Sequence, residues 1–255
     1  MPTKDRFSLS EIRQAAYCPR QFYFDLRLDS HDDLTLSPVY FVLKEIAYRY
    51  GDFIEDPRRA TEKAVDLAEY DYGAEIPSDI LDSEGIDVEE VRSRLRQTRT
   101  DSGFWDEIES PRHEETYIDA GSETQIHGTL DKVVSVDGSL RPSVVKTGTP
   151  PRNGVWEPQR VEATAAARLV ESEFGQDVGT AYVEYPRHGV VRETTVSRRY
   201  ERRLDSVLDS LREAVDGEAP SKTSNTNRCE PCDYSSKCSR KTSLLSRLRS
   251  KLPSV

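Results

Sequence analysis

Three of the chain's four cysteines, Cys229, Cys232 and Cys238, fall in one C-x2-C-x5-C cluster near its end. The fourth, Cys18, lies near its beginning in Tyr-Cys-Pro-Arg-Gln-Phe-Tyr-Phe, and none is left over. Four thiolates suit a soft metal centre, zinc or iron–sulfur. They converge only if the two ends of the chain meet, so the spacing demands a fold with neighbouring termini and makes the metal a staple between them. A close C-x2-C pair supplies two ligands from one turn once deprotonated. Unrelated buried thiols or a zinc knuckle are the alternatives. Zinc sites usually combine two close pairs, whereas here one ligand is solitary and remote.

The length of 255 residues fits one large domain, or a core with an inserted subdomain. Hydrophobic residues at 35% can build a core, while 32% charged residues make a very polar surface. Net charge is -10, and basic charge comes from 27 arginines against nine lysines. Such an acidic, lysine-poor surface suits high salt, which weakens phosphate contacts, so nucleic-acid binding would need local patches. No segment reaches the roughly eighteen apolar residues of a membrane span. The amphipathic N-terminal stretch lacks a secretory apolar run, so a cytoplasmic location is expected, with reduced thiols favouring metal over disulfide.

Ser8-Leu9-Ser10-Glu11 has the form of a capping box, and Leu9, Ile12, Ala15, Ala16, Phe22 and Phe24 continue as a helical apolar set. Pro19 interrupts it, placing Cys18 at a kink or helix end. Residues 29–38 read as a polar loop. A second helix is expected over 38–54 from Val39, Val42, Leu43, Ile46 and Tyr50. Residues 55–110 are acidic and irregularly helical. Thr116–Ala120 and Gln125–Val136 read as paired strands, Pro142–Lys146 as a short strand, and Trp156–Phe174 as a helix with an alanine-rich run. Thr180–Tyr185 and Val190–Val196 read as another strand pair, and Arg198–Val215 as a helix. This predicts a mixed α/β chain with a small central sheet.

Two further constellations could carry chemistry. In Gly128-Thr129-Leu130-Asp131 and Ser143-Val144-Val145-Lys146, an aspartate and a lysine on adjacent strands could face one metal–phosphate centre. A solvated ion pair is the plainer reading. Arg198, Arg199, Arg202 and Arg203 repeat at helical spacing, and a tail at 241–255 adds unbroken positive charge that could track phosphates. Trp105, Trp156 and Tyr200 could stack unpaired bases, or belong to core and ordinary surface.

Tyr17-Cys18-Pro19-Arg20-Gln21-Phe22-Tyr23, Gly128-x-x-Asp131, Lys146-Thr147-Gly148, Gln159 and the terminal cysteine triplet follow one another in an order that resembles the CRISPR-associated RecB-like exonucleases. These belong to the PD-(D/E)XK nuclease superfamily. The resemblance spans residues 8–240, although 55–110 carries no motif. It implies a restriction-endonuclease-like α/β core, with a small mixed sheet flanked by helices. Residues 1–240 would form one domain, with 55–110 as a helical insertion and 241–255 as a basic tail. By the same resemblance Cys18, Cys229, Cys232 and Cys238 would hold a [4Fe–4S] cluster. Asp131 would bind Mg²⁺ or Mn²⁺, Lys146 would lie near the scissile phosphate, and Gln159 would complete the motif. The implied substrate is DNA, as single strands or ends, and the implied partner an integrase.

The chain departs from the family pattern at three places. Val144 stands where the family carries a glutamate, the 38–54 helix has no histidine, and Ala163 replaces a tyrosine. Of the histidines nearest the motifs, His31 lies in the preceding loop, and His127 shares strand parity with Asp131. A carboxylate moved to the adjacent helix would restore the ligand set, and Glu162, or else Glu157, is the candidate. Glu162 follows Gln159 by three residues, on nearly the same helix face. The rival readings are a catalytically silent DNA-binding or scaffold protein, and a zinc-stabilised interaction module.

Overall fold

Ser8 starts the first helix by donating its backbone N–H to Glu11 Oε2 at 2.9 Å while its hydroxyl accepts from Glu11 N at 3.3 Å. Two orphan donors are thereby satisfied, and α1 runs Leu9–Tyr17. Cys18 ends it in extended backbone, and Pro19, which has no N–H to lose, opens α2 (Pro19–Leu28). The computed structural model describes residues 4–28, 36–223 and 225–238. His31 and the basic tail at 241–255 lie outside the described residues.

The helix expected over 38–54 is two helices, α3 (Pro38–Tyr48) and α4 (Tyr50–Glu55). Arg49 breaks them apart: its N–H bonds to Ile46 O, three residues back, so the turn tightens and ends. Helices α5 (Pro57–Tyr72), α6 (Ile80–Ser83), α7 (Val88–Asp101) and α8 (Trp105–Glu109) follow. Asp56 and Asp87 cap α5 and α7 by accepting from Arg59 N and Glu90 N.

The sheet has six strands: β1 (Phe7–Ser8), β2 (His113–Asp119), β3 (Ile126–Val136), β4 (Ser139–Val145), β5 (Thr180–Tyr185) and β6 (Val190–Thr195). A short helix α9 (Gly121–Thr124) joins β2 to β3. The long β3 organises the sheet. Along one edge it pairs antiparallel with β2, and along the other with β1, in parallel, and then β4, antiparallel. Strand β5 runs parallel to β4, and β6 is antiparallel to β5. Strand β1 was not anticipated from the sequence, because two residues carry no periodicity to read.

Side-chain alternation divides the sheet between two cores. Val133, Val144, Ala181, Val183 and Tyr185 face α1, α10 (Glu157–Phe174) and α11 (Arg198–Val215). Val134, Val145, Tyr182 and Val191 face α3 to α8. Helix α10 lies flush on its face because Ala163, Ala165, Ala166 and Ala167 are fully buried and small. Gly128 serves the same closeness for α1, since a Cβ there would stand 3.0 Å from Leu9 Cγ. A final short helix, α12 (Ser235–Cys238), completes the described chain.

Candidate active centre and cysteine pocket

Strands β3 and β4 pair from Val136↔Ser139 up to Lys132↔Ser143 and then separate. Asp131 and Val144, the next two opposed residues, form the fork. The Asp131 side chain closes it, with Oδ2 accepting the Val145 N–H at 2.8 Å. The other oxygen, Oδ1, is 3.5 Å from Lys44 Nζ. Val144 turns into the α1/α10 core and is 2% exposed, so the position where the resemblance expects an acid is apolar packing here.

Glu162 supplies a carboxylate from α10 in that same layer. Its Oε1 accepts from Lys146 Nζ at 2.7 Å, just beyond the end of β4. Its Oε2 is buried without a hydrogen-bond partner, with Arg13 Nε 3.7 Å away. The backbone N–H of Lys146 donates to Glu184 O at 2.8 Å, which fixes where the lysine leaves the sheet. Gln159 Oε1 accepts from the Tyr185 hydroxyl. Burial pushes that phenol up to about 12, against the opposing influence of Arg192 and Arg160, so it remains a donor across the neutral range.

Three further side chains at this centre were not anticipated: Tyr40, Lys44 and Tyr48. They stand at i, i+4 and i+8 on α3, one face of the helix. That stripe, lying between the apolar positions of α3, was the available signal. Burial and then Asp131 raise the Tyr40 phenol above its ordinary value, with Glu162 adding to the rise and Lys44 and Lys146 opposing it. Burial, then Asp131 and Glu115, raise Tyr48 far above a normal phenol. Lys44 Nζ also bonds Glu115 Oε1 at 2.8 Å. Burial opposes its charge, but Asp131 and Glu115 outweigh that and raise its pKa. Glu115 has φ 47°, in the left-handed region, and its ladder position opposite Asp131 is skipped.

The other sequence candidates stand apart. Glu157 is exposed and pairs with Arg203 at 3.2 Å. His127 Nδ1 faces the Tyr117 hydroxyl at 3.3 Å. Trp105 is core, 2% exposed, which removes it as a base-stacking surface. Trp156 is half exposed, with Nε1 donating to Thr149 O at 2.8 Å. The Tyr200 hydroxyl accepts from Arg160 Nη1 at 3.0 Å.

Among the described residues, no group of three or more His, Cys, Asp or Glu side chains could hold a metal ion. Asp131 and Glu162 are the candidate carboxylate ligands here: Glu162 Oε2 is buried without a hydrogen-bond partner, and Asp131 Oδ1 lies 3.5 Å from Lys44 Nζ. Mg²⁺ is commonly held by one or two carboxylates, with waters and phosphate completing its shell, so this donor set fits.

At the other end of α1, residues of α1 and α2 meet residues from Lys222 to Cys238. Cys18, Cys229, Cys232 and Cys238 all line one cavity of about 120 Å³. Arg228 lies over the Tyr17 ring, 4.6 Å from its centroid, and donates to Tyr17 O. Arg20 donates to Pro220 O at 2.8 Å and lies 3.8 Å from Cys238 Sγ. Tyr234 stacks on Phe24 at 5.3 Å and donates its hydroxyl to Asp25. Arg20 and Arg228 line the same cavity as the four cysteines.

The family model of the PD-(D/E)XK nuclease superfamily matches residues 6–239. The chain is also 27% identical over 112 residues to the CRISPR-associated exonuclease Cas4 of Thermoproteus tenax. That likeness covers 44% of this chain and 58% of the relative.

Proposed function

Because this chain belongs to the PD-(D/E)XK nuclease superfamily, we propose that it is a divalent-metal-dependent DNA exonuclease working at Asp131, Glu162 and Lys146. Its four cysteines hold an iron–sulfur cluster that fastens the C-terminal segment to α1 and α2. The observation that carries the reading is Glu162: a carboxylate buried against Lys146, with one oxygen left without a hydrogen bond. It supplies from the helix the acid that Val144 lacks on the strand.

Asp131 and Glu162 would hold Mg²⁺ or Mn²⁺. When bound, the ion lowers the pKa of a water and offsets charge on the pentavalent phosphate. The Val145 N–H fixes the Asp131 carboxylate at the fork. Lys146 places an ammonium where negative charge develops, an arrangement worth more in a partly buried site than in water. Tyr185 orients the Gln159 carboxamide, leaving its NH₂ for a phosphate oxygen. The substrate proposed is DNA, as single strands or ends, in the cytoplasm and beside an integrase.

The test is degradation of labelled single-stranded DNA with Mg²⁺ or Mn²⁺ across a range of salt. Asp131→Ala and Lys146→Ala should each lower the rate by about 100-fold or more. If the unmodified protein cleaves nothing under any condition, the second reading stands, a silent DNA-binding scaffold. Val144 in the core and Lys44 against Asp131 favour that second reading. Anaerobically purified protein should be brown and contain iron, since zinc is d¹⁰ and colourless. Cys232→Ser should bleach it and lower its melting temperature. A colourless, zinc-loaded protein would refute the cluster.

A further inference from the structure

The centre holds a cation of its own. Lys44 Nζ lies 2.8 Å from Glu115 Oε1 and 3.5 Å from Asp131 Oδ1, bridging acids on neighbouring strands β2 and β3. The lysine is not a loose surface chain: its side chain is 18% exposed and its ammonium lies over the Tyr48 ring, 5.7 Å from the centroid. Tyr48 donates its hydroxyl to the same Glu115 oxygen at 3.3 Å. Glu115 takes up a left-handed backbone, uncommon for a residue with a Cβ, opposite Asp131 in the strand pair. Asp131 Oδ1, the oxygen that does not take the Val145 N–H, is therefore the one that meets the ammonium.

We propose that Lys44 is a tethered competitor for the divalent cation at Asp131, which keeps metal loading weak until DNA arrives. The proposal rests on the metal-site reading above. A divalent ion on Asp131 Oδ1 would sit within a few ångströms of a fixed positive charge, and like charges at that distance in a partly buried site repel strongly. A phosphodiester entering the centre brings negative charge that offsets Lys44, so metal and DNA each improve binding of the other. Neutral side chains at position 44 remove the competition and with it most of that coupling.

The test is Mn²⁺ binding alone, followed by the electron paramagnetic resonance signal of free Mn²⁺ and requiring no cleavage. Lys44→Met should bind Mn²⁺ at least about tenfold more tightly than the unmodified protein. Lys44→Gln, which keeps a hydrogen-bond donor for Glu115, should do the same and serves if the methionine variant does not fold. Lys44→Arg keeps the charge and should stay weak. Asp131→Asn should abolish the tight binding in the Lys44→Met background. Adding a short single-stranded oligonucleotide should tighten Mn²⁺ binding by the unmodified protein more than by Lys44→Met, after subtracting Mn²⁺ bound to DNA with the Asp131→Asn protein. Equal affinities in the unmodified and neutral variants, with binding still lost in Asp131→Asn, would overturn the role of Lys44 and leave the metal site intact. Tight binding that survives Asp131→Asn would overturn it too. No saturable binding in any variant would overturn both the competitor and the metal site beneath it.

Discussion

The Lys132–Glu184 and Lys146–Glu162 pairs at this sheet do opposite things. Lys132 and Glu184 are fully buried between β3 and β5. Lys132 Nζ donates to Glu184 Oε2 at 2.9 Å, Ala47 O at 2.7 Å and Ile108 O at 3.3 Å, while Ser143 donates to Glu184 Oε1 at 2.6 Å. The lysine's three protons all find acceptors, and nothing could bind there without first breaking the core. Lys146 and Glu162, by contrast, meet at the sheet's end with one contact between them and a carboxylate oxygen that accepts no hydrogen bond. A charged pair whose valences are filled from within is architecture. A pair with a valence left open beside a fork in the sheet can serve chemistry.

The strongest way to break this contrast is to remove one member of the filled pair. Lys132→Met leaves Glu184 buried and uncompensated, which should cost about 3–5 kcal/mol in chemical denaturation. Adding Glu184→Gln should return much of that loss, because the stranded charge is gone. A loss under about 1 kcal/mol for the single variant would mean that water reaches the pair.

Opposite behaviour is expected of the open pair. Glu162→Val should change stability little and lower nuclease rate by about 100-fold or more, if the carboxylate has moved from strand to helix. Combining it with Val144→Glu returns the acid to the strand and makes room for it. The double variant should regain at least about tenfold of the lost rate on labelled single-stranded DNA. Recovery no better than Glu162→Val alone would show that Glu162 does not stand in for the missing strand acid. A milder probe is Tyr185→Phe. It removes the donor that orients Gln159 and should slow cleavage by several-fold, the worth of one neutral hydrogen bond of about 1 kcal/mol.

Much of the open pair's setting could be read from residue order. The capping box at Ser8, the kink at Cys18 imposed by Pro19, the turn at Asp137-Gly138 and the bounds of α11 are local effects, written within a few residues. The filled pair could not be read this way. In a strand, Lys132 looks like a solvent-facing residue until α3 and α8 are known to cover that face with backbone carbonyls from Ala47 and Ile108. Lys44 was missed for a related reason. Its helix face was readable, but which strands that face would meet depends on how α3 packs against β2 and β3. The left-handed Glu115 has no sequence signature at all, since glutamate seldom adopts it.

An unfilled valence is not sufficient for chemistry, and His188 tests that limit. Its Nε2 is buried without a hydrogen-bond partner, as Glu162 Oε2 is, so among the described residues no carboxylate bonds that nitrogen to answer a positive charge. Burial lowers its pKa, Arg94 and Arg187 lower it further, and Glu90 only partly opposes them. The folded protein thus prefers the neutral ring, while the unfolded chain takes up a proton near the ordinary value of about 6.5. Stability contributed by the neutral ring is complete above that value and declines as pH falls through the folded pKa, because the unfolded state binds more protons. His188→Gln should flatten this shallow slope between about pH 7 and pH 5, read as the difference in denaturation midpoint between the two proteins. Nuclease activity at neutral pH should be unchanged by the substitution. A loss of activity would mean that His188 belongs with Glu162 after all, and that open valences on this fold gather around one function.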